Sequence, residues 1–177
     1  MEWGGEYEDT VSAQASLIPG MIPAFSIMAL IVVGLFNSYR RPLVIFLTVP
    51  FVLIGIVPSL LLTNTPFGFV ALLGGMSLAG MMIKNAIVLI DQINDNLAEG
   101  QQGYDAVLNA GASRLRPVVL AAATTVLGVI PLLPDVFWVG LAVTIMGGLT
   151  VGTMLTMILV PVLFATLSGI RQSPKAV

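Results

Sequence analysis

Lys84 is the one ionised side chain set inside an otherwise apolar run, "SLAGMMIKNAIVLI". A lysine near the middle of a membrane helix costs about 2.5–3.5 kcal/mol on insertion scales, so one found there has a route to the headgroups or a partner. It precedes Asp91 by seven residues, which places it about 10 Å inside the boundary of the span at 1.5 Å per residue. A lysine stem just reaches the interface from that depth. Its neighbours argue otherwise: Asn85 beside it and Gly80 one turn away are the small and polar residues of a face packed on protein. The expectation is a buried, functional Lys84 with Asn85 at its side. Thr124 and Thr125 follow Pro117 by seven and eight residues, and this predicts hydroxyls at a depth similar to Lys84 on the next span. The competing use of those hydroxyls is bonding to carbonyls of their own helix.

The remaining inventory is short. The sequence holds no cysteine and no histidine, which excludes disulfides, thiolate–imidazole metal sites and nucleophile–histidine relays. No glycine-rich phosphate loop and no basic block for nucleic acid is present. No cofactor and no metal is expected, and the methionines read as core filler. Every Asp and Glu falls in a connector, at the N-terminus or near a helix end, so Lys84 needs a carboxylate from outside this chain.

The elements that must hold these residues follow from composition. Of 177 residues, 57% are hydrophobic and 9% charged, against about 25% charged in an ordinary soluble domain. Five apolar runs come near the length of about 20 residues that crosses a bilayer. They cover about 17–36, 42–62, 67–90, 117–133 and 137–167. The fold class expected is therefore an all-α membrane protein, a bundle of about five transmembrane helices. Pro42, Pro66 and Pro117 open or precede spans, whereas Pro23, Pro50, Pro58, Pro131 and Pro161 predict kinks. The connector 91–116 is expected to carry a short helix lying at the interface, with Tyr104, Val107 and Leu108 on one face. Gly148 with Gly152, and Gly75 with Ala79, predict close helix approach within the bundle.

Basic residues set the orientation. Apart from Lys84 they are Arg40, Arg41, Arg114, Arg116, Arg171 and Lys175. Five spans put all six on one side, which is cytoplasmic by the positive-inside rule. The N-terminus is thus expected outside and the C-terminus inside, with no secretory signal at the start.

The runs "GGEYED", "LFNSYRRPLVIFLTVPF", "TPFGFVALLGGMSLAGMMIKNAIVLIDQI", "RLRPVVLAAATTVLGVIPL" and "GGLTVGTMLTMILVPVLF" together resemble the resistance-nodulation-division efflux transporters, in their hydrophobe/amphiphile multidrug branch. The resemblance covers nearly the whole chain. It implies the last five membrane helices of a multidrug exporter driven by drug/proton antiport, not an enzyme, in the bacterial inner membrane. Residues 1–16 are then the end of a periplasmic porter region, 17–168 the membrane domain and 169–177 a cytoplasmic tail. It implies a homotrimer, a periplasmic adaptor, an outer-membrane channel and amphipathic small-molecule substrates. Lys84 matches the family lysine that pairs with two aspartates in the N-terminal half, and Arg114 the arginine at the cytoplasmic end of the proton route. The threonine that follows this arginine by seven residues in the family is replaced by Ala121; Thr124, one turn on, is the candidate substitute. The alternatives are a stand-alone membrane scaffold or assembly subunit without transport, and a protein-export relative of the same superfamily.

Overall fold

The structure is a computed structural model and describes residues 5–170. Helix α1 covers Gly5–Phe36, α2 Arg40–Thr48, α3 Leu53–Leu62, α4 Phe69–Ala98, α5 Gly103–Val129 and α6 Val139–Leu167. Short 3-10 turns, Val49–Val52 and Ile130–Leu132, join α2 to α3 and extend α5. Five helical stretches are long and apolar enough to cross a membrane, with α2, the first 3-10 turn and α3 acting as one. Pro50 and Pro131 each sit in a 3-10 turn, where the missing N–H tightens the local winding without ending the span.

Three boundaries differ from the sequence expectation. The third span does not stop at Ile90: α4 continues to Ala98, and α5 starts at Gly103, leaving only residues 99–102 between them. There is accordingly no separate interface helix in 91–116. Pro117 lies inside α5 instead of opening it, because a proline removes one bond, here to the Ser113 carbonyl, while the rest of the ladder persists. The first helix likewise starts well before residue 17, at Gly5, since "EYEDTVSAQAS" contains no breaker. Arg171 and Lys175 of the basic tail lie outside the described residues.

Helix α6 is the centre of the bundle and packs against α2, α3, α4 and α5. It is apolar all round, and its outward stripe, Met154, Ile158 and Val162, suits contact with lipid. It runs parallel to α4 in a fixed register: Gly140 faces Ala71, Thr144 faces Gly74, Gly148 faces Leu78 and Gly152 faces Met82. A Cβ added to Gly152 would stand 3.2 Å from Cε of Met82, and one added to Gly55 of α3 would stand 2.9 Å from the Gly147 carbonyl oxygen of α6. The Gly148–Gly152 pair is thus spent on packing inside the bundle. Gly74, next to the expected Gly75, is the α4 glycine that is fully covered.

Two apolar clusters fill the interior. One joins Val32 and Phe36 of α1, Ile45 of α2, Ile83 and Ile90 of α4, and Phe164 of α6. The other joins Val52, Ile56 and Leu60 to Leu78, Met82, Val143 and Leu149.

Candidate functional site

On α4 the covered residues Leu78, Met82, Ala86, Leu89 and Ile93 line one side, and Lys84 stands on the opposite one. Ser77, Gly80, Lys84, Asp91 and Asp95 are all exposed and recur at helical spacing on a single face. No atom outside its own helix lies within 4 Å of a Cβ placed on Gly80. The other helices of this chain therefore leave the whole Lys84 face uncovered. Asp91 and Asp95 prove to be helical residues on that face. The spacing 84, 91, 95 carried this signal, but placing the end of the span at Ile90 hid it.

Asn85 is half-buried and lies about 100° round the helix from Lys84, on the side of α4 that carries Asn96. Its flank is fixed by Asn96, about three turns further along the same side of α4, whose Nδ2 donates to the Ala106 carbonyl of α5 at 2.9 Å. Gln92 completes the node by donating Nε2 to Asn96 Oδ1 at 3.1 Å. Asn96 is 6% exposed, and both polar ends of its amide are used. This node sets how α4 and α5 lie against one another, and nothing in the sequence distinguished it from a polar loop.

The register it imposes separates Lys84 from the threonines. With Asn96 against Ala106, Val118 comes level with Lys84, and Thr124 lies about 9 Å further along the helix. The structure does not bring Lys84 and Thr124 together. Thr124 is exposed, and its Oγ1 donates to the Ala121 carbonyl at 2.9 Å. Thr125 donates to the same carbonyl at 2.8 Å. Arg114 is half-buried on α5, and its Nε is buried with no hydrogen-bond partner. It shares a face with Val107 and Val118, both covered, and with Thr125, not Thr124. Among the described residues no group of acidic side chains is placed to hold a metal ion.

The sequence profile of the AcrB/AcrD/AcrF family matches residues 1–168. The chain belongs to that family. Among its relatives is the swarming motility protein SwrC of Bacillus subtilis (strain 168), 33% identical over 97% of this chain and 17% of SwrC. The multidrug resistance protein MdtC of Erwinia amylovora (strain ATCC 49946 / CCPPB 0273 / Ea273 / 27-3) is 31% identical over 96% of this chain and 17% of its own length. A crystal structure of a heavy metal efflux pump superposes with a TM-score of 0.80 at 28% identity, covering 92% of this chain and 17% of the pump. The chain thus spans about 17% of the length of the curated relatives it matches. Membership bears out the resemblance to resistance-nodulation-division efflux transporters and, with the five apolar helices, a multi-pass place in the inner membrane. Relatives named for multidrug resistance and for heavy metal efflux both occur, so membership in the AcrB/AcrD/AcrF family does not depend on one branch.

Proposed function

We propose that this chain is the C-terminal membrane part of a proton-driven multidrug exporter, and that Lys84 belongs to its proton relay. The observation that carries the reading is the uncovered α4 face: a lysine deep in an apolar helix, flanked by Ser77 and Gly80, with no cover from the other described residues. A cation at such depth is stable only with a partner, and small neighbours let a helix come close. The partner fitting it is a helix carrying carboxylates, from the N-terminal half of the same transporter. Ionised carboxylates hold Lys84; protonated ones release it, and the difference in interaction between the two states is what tilts helices. Arg114, half-buried near the α4–α5 hairpin, continues the route towards the cytoplasm, and Asn85 holds the α5 side. Thr124 is the weakest member, because its hydroxyl is bonded to its own helix. The chain enters from the periplasmic side and ends in the cytoplasm, in a trimer joined to an adaptor and an outer-membrane channel, with amphipathic small molecules as cargo.

The test replaces Lys84 in the full-length transporter and follows drug efflux in proteoliposomes with an imposed pH gradient. Lys84→Ala is expected to abolish the response to the gradient while leaving trimer formation intact, and Lys84→Arg to keep part of it. Gradient-driven efflux at the parental rate from Lys84→Ala sinks the reading.

A further inference from the structure

The end of the bundle where α4 and α6 begin carries an apolar surface that the exporter reading does not use. Gly140 packs against Ala71, so the connectors that precede these two parallel helices, residues 63–68 and 133–138, lie at the same end. Beside the polar Thr63, Asn64 and Asp135, these connectors expose large apolar side chains: Phe67, Val136, Phe137 and Trp138, with Val136 93% exposed. The 133–138 tip has a defined shape. Asp135 Oδ1 accepts from the backbone N–H of Phe137 at 2.8 Å and of Trp138 at 3.4 Å, and the Asp135 carbonyl accepts from Val139 N at 2.9 Å. The carboxylate is thereby turned onto the start of α6, a favourable end for negative charge. The two rings meet edge to face, with centroids 5.0 Å apart and planes at 84°.

The geometry points to this tip as an anchor in the headgroup–acyl boundary of the bilayer, with lipid as its partner. Water is a poor environment for Val136 and Phe137, which are left exposed among the described residues. The hydrocarbon centre is equally unsuitable, because Asp135 and the indole N–H of Trp138 need polar surroundings. The boundary layer satisfies both, and tryptophan concentrates there for that reason. The connector is too short to carry the tip far from the ends of α5 and α6, both of which are span ends. Capping by Asp135 fixes the rings before they meet lipid, so little order is lost on insertion. The anchor requires only that the helices span a membrane, and it stands whether or not Lys84 carries protons.

Two measurements on the 177-residue chain test it. The sequence has two tryptophans, so Trp3→Phe leaves Trp138 as the sole emitter. In phosphatidylcholine vesicles, lipid brominated close to the carbonyls is expected to quench Trp138 about threefold more than lipid brominated at the chain ends. The sequence also has no cysteine, so Val136→Cys and Thr63→Cys each give a single thiol at this end of the bundle. A water-soluble maleimide is expected to modify Val136→Cys roughly tenfold more slowly than Thr63→Cys, while a lipid-soluble maleimide reaches both. Equal rates with the water-soluble reagent, together with unquenched Trp138, overturn the anchor. Slow modification with no bromolipid quenching also overturns it, in favour of a protein surface covering the tip.

Discussion

Asn96 and Lys84 are two polar residues on one helix with opposite circumstances. Asn96 is enclosed, and it donates to Ala106 and accepts from Gln92; Lys84 faces outward, exposed among the described residues. Removing a buried amide that satisfies two partners leaves those groups unpaired, at about 1–3 kcal/mol. Asn96→Ala is therefore expected to lower the stability of the α4–α5 hairpin by about that amount, measured by denaturant titration in detergent micelles. An unchanged midpoint would mean the node is dispensable. Lys84 was legible in the sequence because a lone charge in an apolar run is conspicuous whatever surrounds it. Asn96 was not, since it sits in the polar stretch "DQINDN", where only the path of α5 shows which asparagine is enclosed. Thr124 stands apart from Lys84 for a related reason: its depth was counted from assumed span ends, and the hairpin register places it about 9 Å further along the helix.

At the level of elements, the contact between α3 and α6 depends on missing side chains. The Gly55 position approaches the α6 backbone itself, with Gly147 O and Gly148 Cα both at 2.9 Å from an added Cβ. A backbone neighbour cannot rotate away as a flexible side chain can. Gly55→Ala should therefore push α3 off α6 and cost about 1–3 kcal/mol, the usual range for overpacking. Thermal unfolding of the detergent-solubilised chain checks this, and a variant that melts with the parent would contradict the packing. Five long apolar helices were readable because hydrophobic length is dictated by the bilayer, independently of neighbours. The extension of α4 and α5 past their apolar runs was not. Polar residues there remain helical because of contacts such as Asn96 with Ala106, and Pro117 removes one bond without breaking the helix.

For the molecule as a whole, the uncovered α4 face separates a self-sufficient bundle from one that packs on further helices. Gly80 meets nothing among the described residues, so Gly80→Leu is expected to leave the melting temperature of the 177-residue chain unchanged. In the full-length transporter the same substitution should reduce export at least about tenfold, because a small residue is what lets a second helix approach Lys84. Full export from Gly80→Leu would show that no helix packs there. The family match over residues 1–168, combined with a span of 17% of the relatives' length, agrees with a surface built for partners outside this chain.

Sequence alone determined that the chain belongs in a bilayer, that five of its helical stretches are long and apolar enough to cross it, and which residue in them is chemically exceptional. Those properties depend on the transfer of each side chain between water and lipid, which is a sum over local composition. Which side of α4 is covered and which asparagine locks the hairpin were decided by tertiary structure. They depend on helix rotation and register, and these are set by the close fit of Gly55, Gly148 and Gly152 against their neighbours. A hydrophobic pattern that is apolar on every side, as in α6, carries no information about rotation.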